Sequence, residues 1–166
     1  MKVPYTVDVL ERCQISPPNN MSPTHIFRLW LPIPLVQHLF FFEFHHPNTY
    51  FLDTVLPNLK KSLSLTLQHF FYFAGNLTWL QDSAKPEILY VDNDSVRFTV
   101  VESYYDFDKL VTNHIKEANE FHPLVPKLLI QSSDNHVPLL ALQVTLFPDK
   151  GICIGITFNR SCGCGW

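Results

Sequence analysis

Between residues 48 and 70 apolar side chains return at helical period. Leu52, Leu56, Leu59, Leu63, Leu67 and Phe70 stand at intervals of four, three, four, four and three, which stacks them on one face. Asn48 suits the N-cap, and Gly75 lies past the end. Pro57 interrupts the pattern, because a proline inside a helix removes a backbone bond and kinks the rod. The expectation is a short helix, a kink or break near Leu56, and a main helix to about Phe71. A more polar helix is expected over 106–119, with Phe107, Leu110, Val111, Ile115 and Ala118 sharing a face and Asp106 or Asp108 in the first turn.

Elsewhere the period is two. LLALQVTLF (139–147), the turn Pro148-Asp149-Lys150-Gly151 and ICIGITF (152–158) predict a β-hairpin. In its second strand Ile152, Ile154, Ile156 and Phe158 point one way, and Cys153, Gly155 and Thr157 the other. The segments NLTWL, EILYV and VRFTVV between 77 and 101, separated by QDSAKP and DNDS, predict a hairpin or meander. Residues 13–23, rich in proline and asparagine, are expected to form a loop. Pro32 and Pro34 delay the strand in 29–44 until about Val36.

The chain has 166 residues, 46% of them apolar and 14% aromatic, enough for one domain with a substantial core. A net charge of -3 gives no basic footprint for nucleic acid. No apolar run approaches the ~20 residues that cross a bilayer, and no secretory signal is visible near Met1, so a soluble cytosolic protein is expected. Cys13, Cys153, Cys162 and Cys164 are too few and too unevenly spaced for a disulfide framework. The Asn-x-Ser/Thr triplets at Asn20, Asn76, Asn93 and Asn159 would matter only in a secreted chain.

Candidate chemistry is sparse. Cys162-x-Cys164 has no second pair to complete a tetrahedral metal site and lacks the two-residue redox spacing. The His45-His46 doublet follows an apolar strand and precedes Pro47, its pattern supplies no positioned carboxylate or thiol, and it reads as a surface loop. His69 suits the C-terminal dipole of its helix, and Asp106 with Asp108 an N-cap. There is no glycine-rich phosphate loop and no Gly-x-Ser-x-Gly elbow. Composition and spacing by themselves reach an α/β or α+β domain and stop.

The order of four segments goes further. LPNLKKSLSLTLQHFFYFAGNLTW (56–79), VESYYDFDKL (101–110), FHPLVPKL (121–128) and VPLLALQVTLFPDKGICIGITF (137–158) resemble the N-terminal half of plant BAHD acyltransferases, nearest the branch that malonylates anthocyanins and flavonoid or phenolic glucosides. The resemblance implies an α/β chloramphenicol acetyltransferase-like domain, a mixed sheet flanked by helices, forming half of a two-domain fold. It implies a monomer that uses acyl-CoA as co-substrate and a small phenolic acceptor, with no bound cofactor or metal. Near Phe27-Arg28 relatives tend to carry an aspartate before the pair matching Trp30-Leu31, so local hydrogen bonding is expected to differ here.

In that family a His-His-x-x-x-Asp-Gly motif follows the hairpin, its second histidine acting as general base and its aspartate holding the geometry. Laid on this chain the motif falls on Asn159, Arg160, Ser161, Cys162, Gly163, Cys164 and Gly165. Arg160 takes the base position, Cys164 the aspartate position, and only Gly165 agrees. Arginine has no free acceptor and a pKa above about 12, so it takes no proton near neutrality. The expected organisation is an N-terminal domain over 1–158 and an aberrant Cys/Gly tail over 159–166, with no counterpart of the family's second domain or its Asp-Phe-Gly-Trp-Gly segment. Two readings follow: an acyltransferase by descent, seen through its N-terminal part, or an inactive truncated or frameshifted product, at most a binding module. The face that packs on a second domain would then expose apolar surface prone to self-association.

Overall fold

A computed structural model describes residues 7–18, 25–28, 35–78, 87–112, 118–129 and 136–159. Among the described residues nine strands form two sheets. The larger contains β1 (Val7–Ile15), β6 (Val96–Ser103), β8 (Leu140–Phe147), β9 (Gly151–Asn159) and β3 (Leu35–Glu43), in that spatial order. It is mixed, because β6 and β8 run parallel while the other neighbours are antiparallel. The smaller sheet orders β2 (His25–Arg28), β5 (Glu87–Tyr90), β4 (Asn76–Thr78) and β7 (His136–Pro138), all antiparallel. Leu139, fully buried, joins β7 to β8 and so links the two sheets.

One rod covers one face of the larger sheet. α1 (Asn48–Tyr50) passes through a π-helical turn (Phe51–Val55) into α2 (Leu56–His69). The break expected at Pro57 is therefore absorbed without a gap. The Leu56 N–H reaches five residues back to Phe51 O, and Pro57 falls in the first turn of α2, where its missing donor costs least. Asn48 is not a cap. Its side chain donates to Glu102 Oε1 in β6, and Pro47 holds the cap position. From the predicted stripe Leu52, Leu56, Leu59, Leu63 and Leu67 join Phe51, Phe98, Val100, Val144 and Leu146 in the main core. Phe70 does not, because the backbone leaves the helix there and the ring is exposed. Lys60 pairs with Glu11, and Ser64 Oγ donates to Ser16 O at 2.7 Å, fastening α2 to β1.

Several other expectations need correction. Cys13 to Ile15 are strand, not loop, so the irregular segment starts only at Ser16. Phe27 and Arg28 pair with Ile88 and Glu87 in β2, whereas Trp30 and Leu31 lie outside the described residues. β4 and β5 form the expected pair, but β6 belongs to the other sheet, so there is no three-stranded meander. The switch is made at Asp92–Ser95, where Asn93 takes φ 76° and Asp94 N donates to Val91 O at 2.9 Å. The polar helix is short. α3 (Phe107–Val111) is capped by Asp106 Oδ1 as expected, but Thr112 is extended and its hydroxyl turns back to Asp108 O. Residues 113–117 lie outside the described set, and Ala118–Glu120 form a single 3₁₀ turn. The β8–β9 hairpin forms as predicted, and β3 starts at Leu35, one residue from the expected place.

Among the described residues no helix is long and apolar enough to cross a membrane.

Candidate functional site

Strand β9 lies between β8 and β3 to its last residue. Phe158 pairs with Leu140 and Val36, Asn159 pairs with Leu35, and Asn159 N donates to Leu139 O at 2.9 Å. Two neighbours therefore hold β9 through Asn159. The sequence-predicted positions Arg160 and Cys164, with Ser161, Cys162, Gly163 and Gly165, lie outside the described residues.

The two faces of the sheet differ at this end. Under α2 the inward residues are apolar: Phe98, Leu142, Val144, Ile152 and Ile154. On the opposite face the register builds two cross-strand rows. One runs Gln14, Arg97, Ala141, Thr157, Gln37, and the other Arg12, Thr99, Gln143, Gly155, Leu39. Polar side chains dominate both rows, which are the nearest to the exit of β9. Towards the other end of the same face the character reverses, and Cys153, Phe107, Leu110, Leu124 and Phe147 form a separate apolar cluster.

A segment from Phe121 to Leu129 lies across these rows. It opens with a 3₁₀ turn (His122–Leu124) and carries two X-Pro steps, which favour extended backbone. Gln143 Nε2 donates to Pro123 O at 2.8 Å, and Thr157 Oγ1 donates to Pro126 O at 2.6 Å. Gly155 makes the approach possible, since a Cβ there would stand 2.3 Å from Leu124 O. The sheet, its two polar clasps and one glycine thus hold a strap over the strand that leads to Arg160. A groove of about 990 Å³ remains between the strap and β1/β6, lined by Arg12, Arg97, Thr99, His122, Lys127 and Gln143 among others.

The clasp at Thr157 is directly testable. Its side chain is buried, so Thr157→Val keeps the shape but leaves Pro126 O without its donor, an expected loss of about 1–3 kcal/mol. Chemical denaturation measures it, and an unchanged midpoint would show that the clasp adds nothing to the seat of the strap.

The other candidates are structural. His45 and His46 are exposed in a loop; His45 Nδ1 lies 3.3 Å from Asp149 O, and His46 packs on Phe44 and Tyr50. His69 ends α2 as expected. Asp106 caps α3, while Asp108 accepts from Lys150 Nζ at 2.7 Å and ties the hairpin turn to that helix. Burial pushes the Cys153 thiol up to about 12, so it stays protonated and unreactive. Burial also raises Cys13, against the opposing pull of the Lys60 charge. Among the described residues no cluster of His, Cys, Asp or Glu has the makings of a metal site.

Arg97, Gln143, Gly155 and Thr157 were not singled out as site residues by spacing. The available signal was polar side chains at alternate positions of apolar strands, Gln143 and Thr145 in β8 and Thr157 in β9, all buried.

Residues 18–162 match the family model described as Transferase family. A malonyl-coenzyme A:anthocyanin 3-O-glucoside-6''-O-malonyltransferase from Dahlia pinnata is 42% identical over 166 aligned positions, covering 92% of this chain and 36% of that protein. A phenolic glucoside malonyltransferase 1 from Bemisia tabaci is also 42% identical, covering 97% of this chain and 36% of its own length. The chain thus spans little more than a third of the curated relatives it matches. In solved structures, vinorine synthase superposes with a TM-score of 0.62 at 19% identity, over 94% of this chain and 38% of that one. TRI101 of F. graminearum complexed with ethyl coenzyme A gives 0.57 at 12%, over 83% and 35%. These confirm the chloramphenicol acetyltransferase-like mixed α/β fold. With the family model covering most of its length, the chain belongs to the transferase family of BAHD acyltransferases.

Proposed function

We propose that residues 1–158 are the N-terminal domain of an acyl-CoA-dependent O-acyltransferase lineage whose reaction moves an acyl group, malonyl as in the two glucoside malonyltransferases named above, to a hydroxyl of a phenolic or flavonoid glucoside. The observation that carries this reading is the delivery of β9. Paired on both sides, β9 is described up to Asn159, and the residue after it in sequence is the one that the resemblance aligns with the family's general base. At that position a base removes the hydroxyl proton as the oxygen attacks the thioester carbonyl, and collapse of the adduct releases the CoA thiol. Histidine suits the task because its pKa lies near neutrality. Acyl-CoA enters this account as co-substrate, with no resident cofactor or metal. The cytosol is the compartment the reading assigns, where scattered thiols such as Cys13 and Cys153 stay reduced.

A second reading, a domain that binds without turnover, is favoured by the residues at the base and aspartate positions. Arg160 cannot accept a proton and Cys164 supplies no carboxylate. On both readings the 166-residue chain alone, incubated with malonyl-CoA and a phenolic or flavonoid glucoside, is expected to give no malonylated product above the protein-free control. Product formation that a substitution in this chain abolishes would overturn the assignment of roles at positions 160 and 164.

A further inference from the structure

Three cations in the strap groove stand apart from the other paired cations. Lys60 pairs with Glu11, Lys109 with Asp106 and Lys150 with Asp108. Among the described residues Arg12, Arg97 and Lys127 have no carboxylate partner, yet all three line one groove in a chain whose net charge is -3. They come from three different elements: Arg12 from β1, Arg97 from β6 and Lys127 from the strap. Arg97 faces its cross-strand neighbour Gln14, whose Oε1 accepts from Ser95 Oγ at 3.3 Å, leaving the amide nitrogen as the group free to donate. No carboxylate lines this groove among the described residues.

Where the groove continues toward the smaller sheet, Arg97 and Lys127 also line an adjoining cleft of about 340 Å³. Its one acid, Asp94, is engaged. Asp94 Oδ2 accepts from Val91 N at 2.9 Å, and its carboxylate is further drawn on by Asn76 and His136. The clasps at Gln143 and Thr157 hold the strap, so the spacing of Lys127 over the sheet is built in.

We propose that this groove binds a phosphate group, with Arg97 and Lys127 as its principal holders and Arg12 at the outer side. Donors lining one groove from three elements suit a tetrahedral oxyanion with several acceptor directions, whereas a planar carboxylate is satisfied by one bidentate guanidinium. The site needs no turnover and stands or falls separately from the acyl-transfer reading.

The test is calorimetric titration of the full 166-residue chain with inorganic pyrophosphate at low ionic strength. Saturable binding is expected. Arg97→Gln and Lys127→Gln should each weaken it about tenfold or more, as befits loss of one charge-assisted contact. Arg97→Lys should restore only part of the affinity. Lys61→Gln, on the exposed side of α2, removes the same charge and should leave binding within about twofold. Lys127 is exposed, so its variant remains folded and informative even if Arg97→Gln melts early. Absence of binding, equal loss in Lys61→Gln, or malonate binding as tightly as pyrophosphate with the same dependence would each overturn the proposal.

Discussion

Gly155→Ala is expected to lower the stability of the chain by about 1–3 kcal/mol, seen as a drop in melting temperature of roughly 2–12 °C. The added methyl would lie 2.3 Å from Leu124 O, 3.0 Å from Pro126 Cδ and 3.3 Å from Leu39 Cδ2. The nearest of these is backbone, so no side-chain rotation relieves the clash, and either the strap lifts or β9 bends. Both outcomes reach the site. Lifting the strap breaks the Gln143 and Thr157 clasps, and bending β9 disturbs its pairing up to Asn159. The effect should therefore exceed that of alanine at an ordinary exposed strand glycine. A variant that melts with the parent would mean that the strap does not sit where these contacts place it.

How much of this was legible beforehand depends on where local signals agreed. The β8–β9 hairpin showed itself because turn residues and alternation named the same boundaries. The helix stripe did so because burial in one layer enforces the 3.6 period. β1 was hidden for a physical reason. The register shifts between Val9 and Glu11, Val9 pairing with Val101 and Glu11 with Val100, so Leu10 is an extra residue and the period-two pattern reverses midway. Beyond the bulge Cys13 and Ile15 face the core while Arg12 and Gln14 face the groove. The groove itself was illegible because its rows cross five strands, and register between distant segments is not written in any one of them. The family resemblance supplied the strand end and the base position, and it had no bearing on the unpaired cations beside them.

The largest expected effect concerns Arg160. If residues 1–158 are a sound acyltransferase domain, the expected defect lies in the residue types at the aligned base and aspartate positions, Arg160 and Cys164. The physical argument is that, among the described residues, the end of β9 is held by both strand ladders, the Leu139 bond, and the strap fastened by Gln143 and Thr157. A histidine at position 160 is expected to supply the base. An arginine forfeits the base, a loss of about 10²–10⁴-fold in rate.

The most direct measurement is made on a chimera in which residues 1–158 of this chain replace the aligned part of the Dahlia pinnata malonyltransferase, which supplies its own sequence from position 159 onward. The account predicts that the chimera malonylates an anthocyanin 3-O-glucoside, and that arginine at position 160 lowers the rate by about 10²–10⁴-fold without moving the melting temperature. A chimera that melts cooperatively yet shows no transfer with histidine at position 160 would contradict it.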